Sequence, residues 1–240
     1  YESENYVGEL VVSLSTQLYL NGENTLEIVV TDAVGVTTNQ AFTYTFTNGG
    51  AVVTSGYPLS GSHVKGQVNV GGSGSFEGAT CTISIDGTAR VPSTILKSPT
   101  NCYTAVETTE LNDGSHTFQV TATAQNGTSD SYYGSFYVDN TAPTITNVSP
   151  ASSTYVTGSF NIDAFLSDNL LLWKGNLYHG STLLTSTLHQ TDYTVDSTSY
   201  SEGATDFQIV AEDRAGNTDE HTVSVVIDNT APTVQITFPW

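Results

Sequence analysis

Residues 118–150 align without a gap onto residues 207–239, at an offset of 89 and with 13 of 33 positions identical. A fainter copy lies at an offset of 92, where Leu26, Gly35, Asn48 and Pro58 fall on Phe118, Gly127, Asn140 and Pro150. The first halves repeat as well: Gly66-Gln-Val-Asn-Val corresponds to Gly158-Ser-Phe-Asn-Ile, and Asp86-Gly87 to His179-Gly180 after one extra residue. A period near 90 is too long for a solenoid, whose units run to about 20–45 residues, and fits whole domains in series. The 240 residues then divide into 1–50, the C-terminal half of a domain; 51–142 and 143–231, two complete domains; and 232–240, a linker and the first strand of another.

Within a repeat the period is two. Phe160, Ile162, Ala164 and Leu166 alternate along Gly158–Leu166, as in a strand with one buried face. Thr144–Val148, Trp173–Tyr178, Thr182–Thr187, Tyr193–Ser199, Asp206–Glu212 and His221–Asp228 complete seven short strands separated by turn residues. No window carries a helical period, so the expectation is an all-β chain of antiparallel sandwiches. Gly71-Gly72-Ser73-Gly74 reads as a mobile loop between strands. Composition agrees: Ser, Thr, Asn, Gly, Tyr and Val dominate, and Met is absent.

Charge excludes one class of partner. Five basic residues against 24 acidic ones give a net charge of −19, which repels nucleic acid and anionic lipid. No run approaches 18 apolar residues, so no membrane-spanning helix is expected. Nor is there an initiating Met or a signal segment, which points to a processed product or a piece of a longer chain. Catalysis has little to stand on. The five histidines are scattered outside any metal or nucleophile motif, and no Gly-x-Ser-x-Gly elbow occurs. The expectation is that the chain is not an enzyme.

Several short motifs stand out: the Asp86-Gly87 hairpin, Asp113-Gly-Ser-His-Thr-Phe118 running into Val120-Thr-Ala122, Asp213-Arg-Ala-Gly216-Asn217, and Val138-Asp-Asn-Thr-Ala-Pro143. Together they resemble the bacterial-type immunoglobulin-like repeats strung along adhesins, S-layer proteins and secreted polysaccharidases of bacteria and archaea. The resemblance covers nearly the whole chain. It implies tandem immunoglobulin-like β-sandwiches at an extracellular, cell-surface location. The leading functional expectation is a structural or adhesive array within a surface layer, stalk or filament. The alternative is a set of accessory, carbohydrate-binding modules of a secreted polysaccharide-degrading enzyme.

In this topology the linker and the B–C and F–G loops gather at the end where the chain enters a domain. That would bring Asp139 and Asn140 together with Asp168, Asp213 and Asp219. Four carboxylates and an amide on short loops suit the oxygen coordination of Ca²⁺ at the interdomain junction. A hydrated acidic patch, with Asp139-Asn140 as turn and cap residues, is the other reading. The comparable end of the preceding domain offers only Glu77 and Asp130. Cys81 and Cys102 each lie in a strand-like run of one domain and are expected to form a cross-strand disulfide, the alternative being two free thiols. Asn126 and Asn147 head Asn-x-Ser/Thr sequons, and Asn126 is the better acceptor because Pro150 follows the second. Tyr103, Tyr132, Tyr133 and Trp173 could stack on a surface polysaccharide or pack within the sandwich.

The ends of the chain pose a packing problem. Leu10–Leu14, Leu26–Thr31 and Ala41–Phe46 are half of a sandwich whose inward residues lack an opposing sheet. Either further domains of the same chain complete it, or copies of the chain do so by strand exchange. For the second route Val234, Ile236 and Phe238 of the tail strand are the candidate inserting residues.

Overall fold

The computed structural model describes residues 22–32, 34–46, 50–76, 78–91, 94–98, 100–125, 127–187 and 192–237. The expected strand Leu10–Leu14, the sequon residue Asn126, and Phe238 lie outside them. Almost all described secondary structure is β, and no α-helix occurs among the described residues.

The first element is a hairpin. Strands β1 (Gly22–Thr31) and β2 (Thr37–Phe46) pair antiparallel from Gly22↔Phe46 to Thr31↔Thr37. Asp32 makes the turn: its Oδ1 accepts from the backbone N–H groups of Val34 at 2.9 Å and Val36 at 2.8 Å, while Gly35 supplies φ +89°. The hairpin is a two-stranded sheet, and Val29 and Val30 stand more than half exposed on it.

The second repeat contributes β3 (Val52–Tyr57), β4 (Ser62–Val64), β5 (Gln67–Ser75), β6 (Thr80–Ile85), β7 (Thr88–Ala89), β8 (Leu96–Lys97), β9 (Asn101–Glu107), β10 (Gly114–Thr123) and β11 (Ser129–Val138). They form a four-stranded sheet in the order β3-β5-β9-β8 and a five-stranded sheet in the order β4-β11-β10-β6-β7. Asp86 and Gly87 both have positive φ, the requirement of a tight turn between twisted strands, here β6 and β7. Residues 71–74 are not the loop expected from sequence; they lie inside β5. The glycines there answer to neighbouring backbone. A Cβ at Gly71 would stand 2.2 Å from the Cys102 carbonyl oxygen, and one at Gly74 1.9 Å from that of Val52. Close packing of adjacent chains, rather than freedom, explains the run.

The third repeat contributes β12 (Thr144–Ser149), β13 (Thr154–Val156), β14 (Ser159–Ser167), β15 (Leu172–His179), β16 (Thr182–Thr187), β17 (Asp192–Asp196), β18 (Gly203–Asp213) and β19 (Thr218–Ile227). A three-stranded sheet, β12-β14-β17, faces a five-stranded one, β13-β19-β18-β15-β16. Between them lie Ile162, Ala164 and Leu166 of β14, Phe207, Ile209 and Ala211 of β18, and Val223, Val225 and Ile227 of β19. Truncating a core aromatic such as Phe207 to Ala would cost about 3–5 kcal/mol.

Two features depart from the sequence reading of this repeat. The strand expected over Tyr193–Ser199 stops at Asp196, because the Asp196 carboxylate accepts from the N–H and hydroxyl of Thr198 and turns residues 197–199 into a 3-10 turn. An eighth strand, β13, pairs in parallel with β19, from Thr154↔Val225 to Val156↔Ile227. The β4 strand pairs likewise with β11 in the second repeat.

By compactness the chain divides into two units. One comprises 1–60, 69–105 and 117–135, and the other 61–68, 106–116 and 136–240. The second unit therefore holds the whole third repeat together with the end of the second repeat that leads into it.

Candidate functional site

Asp-Asn-Thr occurs at 139–141 and at 228–230, and in both places it ties the last strand of a repeat to the same repeat's 3-10 turn. Asn140 Oδ1 accepts from the Thr108 hydroxyl at 2.5 Å, and its Nδ2 donates to the Thr108 carbonyl at 3.1 Å. Asn229 does the same with Ser197, at 2.6 and 3.2 Å. Thr108 and Ser197 are fully buried, so these bonds satisfy polar groups that water cannot reach. An acidic side chain secures the next step. Asp113 accepts from the Asn140 N–H at 2.8 Å and from the Thr141 hydroxyl at 2.5 Å, and Glu202 accepts from the Asn229 N–H and the Thr230 hydroxyl at 2.9 and 3.0 Å. Burial works against ionisation of Asp113, yet the hydrogen bonds from Thr141, Asn140 and Asn169 hold its carboxyl below the ordinary value.

Beyond the clamp, the second and third repeats are joined within one compact unit. Asn217, in the turn between β18 and β19, donates from Nδ2 to the Asp139 carbonyl at 2.9 Å. Asn169, in the loop after β14, donates to Asp113 Oδ2 at 2.9 Å, and the Lys65 ammonium donates to the Gly216 carbonyl.

The same junction gathers Asp139, Asp168 and Asp213, whose nearest carboxylate oxygens all lie within 4.8 Å of one another. Each carboxylate is fixed by backbone. Asp139 Oδ1 accepts from the Thr141 N–H at 3.3 Å. Asp168 Oδ2 accepts from the N–H groups of Leu170 and Leu171, both at 2.9 Å. Asp213 Oδ1 accepts from the Asn217 N–H at 2.8 Å, and its Oδ2 from Asn217 Nδ2 at 2.6 Å. Asp139 and Asp213 are wholly inaccessible. Three ionised carboxylates at this spacing repel by on the order of 3 kcal/mol per pair at an effective dielectric constant near 20. Burial, reinforced by Asp168 and Asp213 alongside, pushes the Asp139 carboxyl up to about 6.

Of the residues predicted for this site, two stand apart from the cluster. Asn140 turns its side chain to Thr108. Asp219 instead starts β12: its Oδ2 accepts from the Ile145 N–H at 3.0 Å, as Asp130 Oδ2 accepts from the Val53 N–H at 2.9 Å one repeat earlier. Glu202, Thr108, Ser197 and Lys65 are not singled out by the sequence, and Asp113 only as the first residue of a turn motif. A signal existed, since Thr108/Ser197 and Asp113/Glu202 are matched at the offset of 89.

Cys81 on β6 and Cys102 on β9 are joined by a disulfide, with Cα atoms 6.6 Å apart, across two different sheets rather than along one ladder. Asn147 is exposed with φ +51°, at the register shift between Thr146 and Ser149. Asn is among the few side chains that tolerate this conformation, so the backbone alone accounts for it there. Val234 and Ile236 are exposed and lie outside any strand. Tyr132 packs on Phe118, and Tyr103 on Tyr57. Tyr133 is exposed, and one face of Trp173 is covered by Lys174 Nζ, 4.0 Å from the ring centroid. No helix among the described residues is long and apolar enough to cross a membrane.

The family model for the bacterial Ig-like domain (group 3) matches residues 189–239. No curated protein matches the sequence. Among solved structures, the fibronectin(III)-like modules of Clostridium thermocellum CbhA align with a TM-score of 0.50 at 14% identity, over 78% of this chain and 100% of that one. The tetra-tandem repeat from the extending region of a large adhesion protein aligns at 18% identity with a TM-score of 0.37, over 87% of this chain and 57% of that one. Strand order, buried core and the likeness to the CbhA modules agree: the chain is a tandem series of immunoglobulin-like β-sandwiches, and residues 189–239 carry the match to the bacterial Ig-like domain.

Proposed function

We infer that the chain is a load-bearing segment of an extracellular array, its modules set in series within a surface layer, stalk or filament. The observation that carries this reading is the built junction. Asn217 on the Asp139 carbonyl, Asn169 on Asp113 and Lys65 on the Gly216 carbonyl tie the end of the second repeat to two loops of the third. A chain of independent binding modules needs no such ties, because flexible linkers let each module reach its own ligand. A spacer under tension does need them. Pro143 adds to the stiffness by fixing its own φ at the entrance to β12.

The acidic surface and scarcity of Lys and Arg suit a protein that must stay dispersed outside the cell. The alternative role, as accessory modules of a polysaccharide-degrading enzyme, draws support from the fold likeness to the CbhA modules. Against it, Lys174 occupies one face of Trp173, and two of the other three aromatic candidates pack on neighbouring rings. Immunogold labelling of producing cells with antibodies to residues 143–231 separates the two. The array reading expects dense label over the cell envelope or its appendages. Label confined to the medium, with retention of the protein on insoluble polysaccharide, would overturn it.

A further inference from the structure

We propose that Asp139, Asp168 and Asp213 hold a single Ca²⁺ ion that locks the second repeat to the third. Acidic residues alone would not justify this, since exposed carboxylates are common and usually hydrated. What points to a ligand is the state of the oxygens. Asp139 is wholly buried, yet its Oδ2 has no hydrogen-bond partner, and neither has the buried Oδ1 of Asp168. Buried carboxylate oxygens are almost always paired, so two orphans beside a third buried carboxylate mark a place where charge is missing. None of the three has an ion-pair partner among the described residues. The Lys65 ammonium binds the Gly216 carbonyl.

The geometry is that of a prepared site. On each residue one oxygen is pinned by a backbone N–H: Thr141 for Asp139, Leu170 and Leu171 for Asp168, Asn217 for Asp213. The free oxygens of Asp139 and Asp168 are left with nothing to do but meet a cation. Asp213 Oδ2 shares its lone pairs with Asn217 Nδ2. The ligand atoms already lie within 4.8 Å of each other, the separation expected across one ion with metal–oxygen distances near 2.4 Å.

Chemistry selects the ion. The cluster contains neither His nor Cys, which argues against Zn²⁺ and Cu²⁺ and for a hard cation with oxygen ligands. Three carboxylates on three separate segments form an irregular cage. Ca²⁺ accepts that, with water filling the remaining positions, whereas Mg²⁺ demands near-ideal octahedral geometry. The ligands come from the linker, the loop after β14 and the end of β18, so occupancy couples the entry strand to both loops of the third repeat.

This deepens the array reading but does not depend on it, because Ca²⁺ binding by the chain is measurable whatever the chain's location. Equilibrium dialysis and calorimetry on residues 1–240 should show one equivalent of Ca²⁺ bound, with a dissociation constant of about 10⁻⁴–10⁻³ M as in extracellular modules. Ca²⁺ should raise the thermal midpoint in step with occupancy. Asp139→Asn gives a signature that a merely structural carboxylate would not. Without metal it should melt higher than the parent, because a buried repulsion is removed, and it should lose the response to Ca²⁺. Asp168→Asn keeps the acceptor for Leu170 and Leu171 and should weaken binding at least tenfold, which covers the case in which the first variant misfolds. No binding at millimolar Ca²⁺, undiminished binding by both variants, or an equal response to Mg²⁺ would each overturn the assignment.

Discussion

Removing one amide from the repeated Asp-Asn-Thr motif should cost more than its exposed position suggests. Asn229 stands at the rim of the third repeat, but its side chain reaches the wholly buried Ser197, accepting from the hydroxyl at 2.6 Å and donating to the carbonyl at 3.2 Å. Asn229→Ala breaks both bonds and leaves the Ser197 hydroxyl without its acceptor, out of reach of water, while the Ser197 carbonyl keeps the Tyr200 N–H. A net hydrogen bond is worth about 1 kcal/mol, and a buried group left unsatisfied costs about 1–3 kcal/mol, so the expected loss is about 2–3 kcal/mol. If a repeat of this size unfolds on its own, each kcal/mol lowers the midpoint by about 4–8 °C, and the variant should melt at least 8 °C below the parent. Asn229→Asp keeps the acceptor and loses only the donor, and should fall between. Differential scanning calorimetry reads the global effect. Amide exchange at Ser197 and Tyr200, whose N–H groups bond to Gly158 and Ser197, reads the local one. An Asn229→Ala midpoint within 1 °C of the parent, with unchanged protection at those amides, would refute the clamp.

Three other outcomes follow from the same geometry. Reducing Cys81–Cys102, which closes a separation of 21 residues, should destabilise the second repeat by about 3 kcal/mol; alkylation before reduction should label neither sulfur. Gly74→Ala places a Cβ against the Val52 carbonyl oxygen and should cost about 3 kcal/mol or more, seen as a lowered urea midpoint and loss of amide protection along β3. Asp219→Ala removes the acceptor for the Ile145 N–H and should cost about 1–2 kcal/mol, with faster exchange at Ile145; Asp130→Ala should do the same at Val53.

What could be read from sequence was whatever depends on period and on turn chemistry. Phe207, Ile209 and Ala211 alternate, and they line the core; Asp86-Gly87 needs two positive φ angles, and it makes the turn. The loops that carry Asp168 and Asp213 were also legible, because they follow from strand order. What was not legible depends on distant chain. The strands β4 and β13 are three residues long, too short to show a period, and exist because β11 and β19 offer them a parallel edge. The Gly71–Gly74 run looks like a loop until the carbonyls of Cys102 and Val52 are seen against it. Asn140 is next in sequence to one of the acids. Its side chain serves Thr108, since adjacent positions in an extended linker point opposite ways.

Five residues thereby serve two modules. In Asp139-Asn-Thr-Ala-Pro143, the Asn side chain and the Thr hydroxyl face back, onto Thr108 and Asp113 of the repeat that is ending. The Asp side chain faces Asp168 and Asp213, and its carbonyl accepts from Asn217, all in the repeat that is beginning. The second copy of the motif separates the two duties. At Asp228-Asn229-Thr230 the backward clamp is intact, with Ser197 and Glu202 in place of Thr108 and Asp113. Asp228 is exposed, whereas Asp139 is wholly inaccessible. The clamp is built from residues of one repeat alone, whereas the acid of the first copy lies among the loops of the repeat that follows. Asn and Thr close a module; Asp engages the next one. Substituting Asn140 should then lower the stability of the second repeat without abolishing the acidic cluster, and substituting Asp139 should alter the cluster while leaving the bonds between Asn140 and Thr108 in place.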